Sequence, residues 1–285
     1  MLCQCFFFSA FISVLPNDPV LLLFNLKMEH TEHIAAEVLY NAAQFKTVCN
    51  PVREIIGDLD IDLAYRVQEI NIKKRIDNGD VVVGKKIGLT SFAVQKQLGV
   101  DQPDYGMLMK STQVKDGGKL AFNELMQPKA EAEIAFVMKS DLDGEITMER
   151  LIDSIDYAVA SIEIVGSRVE KWDIKITDTV ADNASASHFV LGTEKHQLED
   201  IDLVNCKMTM TKNDAVVSEG TGEACMGNPL NAGLWLAQVM AKKGHPLQKG
   251  EILLSGALGP MVNIGFGDSI NTIIQGLGEV CVDIT

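Results

Sequence analysis

Two glutamates stand two residues apart in the segment Gln127 to Met138, QPKAEAEIAFVM. On a strand, residues at that spacing share a face with Cα atoms about 6–7 Å apart. Glu131 and Glu133 therefore point the same way, while Ala132, Ile134 and Phe136 point to the core. Repulsion between the two carboxylates must be relieved by a proton, a cationic side chain or a metal. An isolated pair of this kind is ordinarily a solvated strand face. A third carboxylate weakens that reading, because Glu163 lies inside another apolar strand, AVASIEIVG, between Ile162 and Ile164. Three oxygen ligands from two neighbouring strands, with no Cys or patterned His beside them, suit a hard cation such as Mg²⁺ or Mn²⁺ that keeps positions open for substrate.

Lys86, in GKKIGLTS, is the next candidate. If this segment is extended, Lys85 and Lys86 lie on opposite faces and one can turn inward, where an ammonium beside a metal-bound oxyanion stabilises charge or passes a proton. Two solvated lysines are the alternative. Asp104, in QPDYG, reads first as a turn acid. The run TDTVADNASAS, Thr177 to Ser187, is polar and helix-poor, and places Asp182, Asn183 and Ser185 on a loop where they can donate and accept hydrogen bonds; a turn-rich connector is the plainer reading. In LSGALGP, Leu254 to Pro260, two glycines flank Ala257 and Leu258 where the backbone must approach something closely or turn with positive φ. It is not a phosphate loop, which requires GKS or GKT after its second glycine. No GxSxG is present, the Cys lack an indicated His partner, and the five His show no metal-ligand spacing, so nucleophilic catalysis has no support.

The elements that carry these residues can be read from the hydrophobic pattern. Residues 30–45 and 62–77 form amphipathic helices, the second opening at Asp60 or Asp62 and ending at Asn78 and Gly79. From Val81 the pattern changes to short apolar runs punctuated by Gly. A helix is expected over SFAVQKQLG, capped by Ser91, and a short one over TMERLIDSI, capped by Thr147. A longer helix starts at the Asn228 cap with Pro229 in its first turn and runs to Gly244. EILLSG, MVNIGF, DSINTIIQG and EVCVDI are closely spaced strands without room for crossover helices. Helices first, then strands with few helices, favour an α+β fold with a mixed or antiparallel curved sheet over a doubly wound one.

Composition narrows the class of partner. Among 285 residues, 25 Lys and Arg face 39 Asp and Glu, a formal charge of −14. No basic cluster offsets it, so neither nucleic acid nor an anionic membrane is an expected partner. The first 27 residues hold five of the eleven Phe and only two charges. They make a poor secretory signal, lacking a positive flank, and a poor membrane span, being interrupted at Pro16 and Pro19. They are expected to be an extension or the product of a mis-assigned start, outside the fold, with a single domain over 28–285. The scattered Cys49, Cys206, Cys225 and Cys281 argue against zinc and disulfides and fit a cytoplasmic location.

GKKIGLTS, QPDYG, QPKAEAEIAF, SIEIVGSR, WDIKITDTVADNAS, LLSGALGPMV, GFGDSI and IQGLGEV together, in this order, resemble the 2-keto-4-pentenoate hydratase group of the fumarylacetoacetase superfamily. The likeness spans nearly everything after Met28. It implies a mixed, strongly curved β-roll over 81–285 behind a helical lead-in over 28–80, and a divalent metal, Mg²⁺ or Mn²⁺, on Glu131, Glu133 and Glu163. It further implies that Lys86 and Asp104 are catalytic, that Ser185 lies at the substrate pocket, with Asp182 and Leu258 expected to line it too, and that the chain is a homo-oligomer. A complex with the next enzyme of the pathway is a further expectation. The implied activity is addition of water to 2-hydroxypenta-2,4-dienoate, giving 4-hydroxy-2-oxopentanoate, in the meta-cleavage degradation of aromatic compounds, with a small 2-oxo acid or dienoate as substrate. Asp104 is expected as the base and Lys86 as the holder of oxyanion charge. The alternatives are 4-oxalocrotonate decarboxylase, acylpyruvate hydrolase and a non-catalytic cation-binding oligomer. The sequence departs from the family after ADNAS, where Ala186, Ser187 and His188 replace a small residue followed by Gly; His188 is expected to be structural or peripheral.

Overall fold

Strands β5 (Lys129–Met138) and β6 (Ile155–Val165) are the longest in the chain's described part and are buried along nearly their whole length. Strands so apolar on both faces belong in the middle of a sheet. They pair antiparallel, Glu131 opposite Glu163 and Glu133 opposite Ser161. One face, carrying Ala132, Ile134, Phe136, Ala158, Ala160 and Ile162, joins the main core. The other carries Ala135, Val137 and Val159 in a smaller apolar cluster, and the alternation of side chains puts Glu131, Glu133 and Glu163 on this second face.

The computed structural model describes residues 19–92, 95, 96 and 100–285, with side chains from residue 30 onward. The helix expected over SFAVQKQLG includes residues outside that set, as does most of the proposed N-terminal extension. Strands β1 (Val82–Gly88), β2 (Asp104–Met109), β3 (Gln113–Lys115), β7 (Ala186–Leu191), β10 (Ile252–Ala257) and the short β11 (Val262–Asn263) complete the first sheet. Its order is β2-β1-β10-β5-β6-β7-β3, with β11 beside β5. The β1–β10 and β3–β7 pairs are parallel and the others antiparallel. A second mixed sheet runs β4 (Gly118–Leu120), β13 (Gly278–Ile284), β12 (Ser269–Ile274), β8 (Lys207–Lys212) and β9 (Ala215–Thr221). The architecture is mixed α+β, its strands divided between two sheets.

Helix α1 (Pro19–Phe45) starts upstream of the expected residue 30, there being no Gly or Pro after Pro19 to stop it. It is followed by the single turn α2 (Arg53–Ile56) and by α3 (Ile61–Asp77), whose cap is Asp60, accepting from the Leu63 amide. Leu63, Ala64, Val67 and Ile72 form the buried stripe of α3; burying a residue such as Val67 or Ile72 contributes about 1.5–3 kcal/mol. Across the α1–α3 interface, Asn71 Nδ2 donates to the Ala36 carbonyl at 3.0 Å. Helices α4 (Met148–Ser154) and α6 (Pro229–Lys242) start at their expected caps, Thr147 and Asn228. Among the described residues no helix is long and apolar enough to cross a membrane.

Two expectations change. Asp104 is no turn acid: it opens β2 and is 2% exposed. The run read as a polar loop contains helix α5 (Ile176–Ala181), all six of whose residues are buried, followed by a 3-10 turn over Asn183–Ser185. Asp178, Thr179 and Asn183 find partners far away in sequence. Asp178 accepts from the Arg53 amide at 2.8 Å and from the Arg53 guanidinium at 2.6 Å, and also from the Lys175 amide that opens its own helix. A buried carboxylate satisfied in this way stabilises a helix start that composition alone disfavours.

Candidate active site

Glu131, Glu133 and Glu163 each present a carboxylate oxygen, and the three oxygens lie within 4.8 Å of one another. Glu133 and Glu163 are fully buried. Gly256 holds Glu133 in place: its amide donates to Glu133 Oε2 at 2.9 Å. The residue has φ +109, and a Cβ there would lie 2.3 Å from Thr90 Oγ1, so the close approach requires glycine. Glu133 Oε1 and both oxygens of Glu163 receive no hydrogen bond. Burial, then the neighbouring Glu163 and Glu131, push the Glu133 carboxyl well above the ordinary range. Burial likewise moves Glu163 up to about 7, against the pull of Lys86, and raises Glu131.

Both Lys85 and Lys86 are buried, on opposite faces of β1, and Lys86 is the one that reaches the carboxylate trio. Lys86 Nζ lies 3.3 Å from Glu163 Oε1 and donates to the Ala184 carbonyl at 2.9 Å, whereas Lys85 pairs with Glu251 at 2.6 Å. Burial opposes the Lys86 charge, but Glu163, Asp104, Glu131 and Glu133 outweigh it and hold the ammonium above its ordinary range. Asp104 Oδ1 has no partner, while Oδ2 accepts from Thr179 Oγ1 at 3.5 Å. Burial raises the Asp104 carboxyl, with Lys86 and Thr179 opposing. A Cβ on Gly88 would stand 2.2 Å from Asp104 Oδ1 and 3.4 Å from Lys86 Nζ, so this glycine lets acid and ammonium share one space.

Ser185 belongs to the same group, its hydroxyl 3.2 Å from Thr179 Oγ1. Its backbone is strained: Asn183, Ala184 and Ser185 have φ of 55, 49 and 58, a conformation non-glycine residues keep only where surroundings enforce it. The enforcement comes from Asn183, whose side chain accepts from the Met107 amide at 2.7 Å and donates to the Met107 carbonyl at 3.0 Å, and from Lys86 on the Ala184 carbonyl. Asp182, expected in the substrate pocket, is committed elsewhere. Its carboxylate accepts from the Arg168 amide at 3.0 Å and pairs with the Arg168 guanidinium. Leu258 is fully buried in the main core; its amide donates to the Ala132 carbonyl at 2.9 Å and so pins the loop after β10 at the residue between Glu131 and Glu133 of β5. The structure thus brings together Glu131, Glu133, Glu163, Lys86, Asp104 and Ser185, pairs Asp182 with Arg168 and sets the Leu258 side chain in the core; beside them stand Thr179 and Gly88, which sequence reasoning missed, and Asn183, which it had placed on a polar loop.

A trio of carboxylates, two fully buried and Glu131 half-buried, with oxygens that receive no hydrogen bond fits a hard divalent cation, which would replace the missing donors and cancel the repulsion. The family profile described as fumarylacetoacetate (FAA) hydrolase C-terminal matches residues 81–285. The chain belongs to this family. Within it, the chain is 51% identical over 247 residues to the TodF product hydratase of Pseudomonas putida strain F1, covering 86% of this chain and 92% of that one. It is 50% identical over 257 residues to 2-keto-4-pentenoate hydratase 1 of Dechloromonas aromatica, covering 90% and 97%. Among solved structures, 4-oxalocrotonate decarboxylase from Pseudomonas putida G7, complexed with magnesium and adipate, superposes with a TM-score of 0.85 at 34% identity over 90% of this chain and 98% of that one. Against the family pattern, His188 lies outside the carboxylate cluster: its Nδ1 is 2.9 Å from Ser187 Oγ and its Nε2 is 3.6 Å from Glu124.

Proposed function

We propose that the chain is a divalent-cation-dependent hydro-lyase that adds water to 2-hydroxypenta-2,4-dienoate, giving 4-hydroxy-2-oxopentanoate in the catabolism of aromatic compounds. The observation that carries this reading is the trio of converging carboxylates, three of whose buried oxygens receive no hydrogen bond and only one of which, Glu163 Oε1, has a cation, Lys86, beside it, with a buried aspartate close by. Relatives about half identical over most of their length are named hydratases. Glu131, Glu133 and Glu163 would hold Mg²⁺ or Mn²⁺, whose charge stabilises a developing enolate oxygen. Lys86 adds a second positive charge at the same place. The dienol ketonises as C5 takes a proton, water then attacks C4, and Asp104 takes the proton from that water. A buried carboxyl of raised affinity for protons is suited to that work near neutral pH. We further read the two sheets as the curved roll of the family, residues 28–285 as one catalytic domain, and the working form as a cytoplasmic homo-oligomer.

Decarboxylation of 4-oxalocrotonate is the second reading, favoured by the structural likeness to that enzyme. The two separate in one assay. Purified protein with Mg²⁺ or Mn²⁺ is given each compound and its ultraviolet absorbance is followed. The hydratase reading expects loss of the pentadienoate, with 4-hydroxy-2-oxopentanoate formed, and none in EDTA. Turnover of 4-oxalocrotonate alone would replace it with the decarboxylase.

A further inference from the structure

We propose that the hydroxyls of Thr179 and Ser185 form a two-step proton relay that extends the reach of Asp104 into the reaction site. Thr179 Oγ1 lies 3.5 Å from Asp104 Oδ2 and 3.2 Å from Ser185 Oγ, and all three side chains are at least 95% buried. A hydroxyl carries one proton and two lone pairs. When Asp104 is ionised it can only accept, so the Thr179 proton points to Asp104, and the hydrogen bond between the hydroxyls must run from Ser185 to Thr179. The lone pairs of Ser185 are then free to accept from a third donor. When Asp104 is protonated every bond in the row reverses, and Ser185 becomes a donor to the site. The direction of the row therefore reports the state of the acid at its far end.

The backbone argues that this geometry is maintained against a cost. Ser185 is the last of three consecutive left-handed residues. Its turn is fixed by the Asn183 fork on Met107, by Lys86 on the Ala184 carbonyl and by the Gly166 amide on the Ser185 carbonyl at 2.8 Å. A serine placed only to satisfy a neighbouring hydroxyl would not need that conformation.

The relay rests on the hydratase reading, and its step balances. Water attacking C4 gives a proton to Ser185 Oγ, the Ser185 proton passes to Thr179 Oγ1, and the Thr179 proton passes to Asp104 Oδ2. Three O–H bonds break and three form, leaving both hydroxyls intact and Asp104 neutral. The row then runs in reverse, Asp104 giving its proton to Thr179, Thr179 to Ser185 and Ser185 to C3 of the enolate, which completes addition of one water without another reactant.

Thr179→Val keeps the shape and removes the hydroxyl; Thr179→Ser keeps the hydroxyl. With Mg²⁺ and 2-hydroxypenta-2,4-dienoate, T179V is expected to lose about 10²-fold in kcat with KM near wild type, and T179S to recover most of it. The dependence of kcat on the deuterium fraction of the solvent is expected to be curved in the wild type and T179S, more than one proton being in motion, and linear in T179V. A wild-type kcat for T179V, or equal losses in T179V and T179S, would overturn the relay. Failure of the hydratase reading shows differently, as a wild-type chain inert toward the dienoate. In that event, exchange of the C3 hydrogens of 2-oxopentanoate with D₂O, followed by NMR, reads the same relay: T179V must slow it and T179S restore it, and equal rates would reject the relay.

Discussion

Residues 182–188 contribute to two polar regions that handle buried charge in opposite ways. Ser185 joins Thr179 and, through it, Asp104, on the side where Lys86 meets the carboxylate trio, and there Glu133 and Glu163 together keep three oxygens without a hydrogen bond. Asp182, Asn183 and Ala186 to His188 help to line a cavity of about 890 Å³, together with Lys46, Arg75, Lys110 and Arg168. In that cavity the charged heads have partners: Arg75 pairs with Asp80 at 2.9 Å, Arg168 with Asp182, Lys46 donates to the Glu124 carbonyl at 2.7 Å, and Lys110 to Gln113 at 3.0 Å. With four cationic side chains in its lining, beside Asp80, Glu124 and Asp182, it is an inviting place for an oxo acid. The comparison separates unpaired acids from paired charges: the trio keeps carboxylate oxygens without hydrogen bonds, whereas the unsatisfied atoms among the cavity-lining residues are the neutral amide oxygens of Gln68 and Asn71. An unpartnered buried carboxylate costs stability, and a chain keeps one where something else must bind, whereas a cavity of paired charges is already at rest.

Substitutions can break this contrast. Glu133→Gln should reduce turnover by more than the roughly 10–100-fold typical of a supporting residue around a metal, yet raise the melting temperature in EDTA, because it relieves like-charge repulsion. A fall in both would place Glu133 among ordinary structural groups. Across the turn, Arg168→Met leaves the Asp182 carboxylate buried and unpaired, and should cost about 3–5 kcal/mol in urea unfolding; a loss below about 1 kcal/mol would mean that this pair is not what settles the cavity side.

Gly88→Ala sharpens the boundary between positioning and binding. Its Cβ must displace Asp104 Oδ1, and a displacement near 1 Å is expected to lower kcat by about 10²-fold while Mn²⁺ affinity stays at wild type. The smallest effect belongs to His188. Burial, in spite of nearby Glu124, brings its imidazole down to about 4 from 6.5. Between those values the unfolded chain binds the proton and the folded chain does not, so stability falls as the pH drops through this window. His188→Asn should flatten that part of the stability profile and leave activity at neutral pH unchanged; a large loss of activity would draw the cavity into the site.

The trio was legible because strand periodicity is strict and an acid between isoleucines has few explanations. Lys86 turned inward as the alternation allowed, and its role, like that of Asp104, came from the resemblance to a family. Helix α5 was not legible, since the partner that satisfies Asp178 is Arg53, far away in sequence. The pairing of Asp182 was hidden for the same reason, its partner Arg168 being visible only in the folded chain. The left-handed run at Asn183, Ala184 and Ser185 has no glycine to announce it, and is imposed by Met107 and Lys86 from neighbouring strands. Local pattern reveals which face a residue takes; it does not reveal which distant group answers it.

The central claim, that the carboxylate trio and not the larger cavity is the functional centre, is tested most directly by calorimetric titration of Mn²⁺ into the wild type, E133Q and R168M. We expect one ion per chain in the wild type and in R168M. Protons should be released on binding below pH 7, where Glu163 of the metal-free chain is largely protonated. Binding should be lost in E133Q. Binding that is undiminished in E133Q would contradict the account.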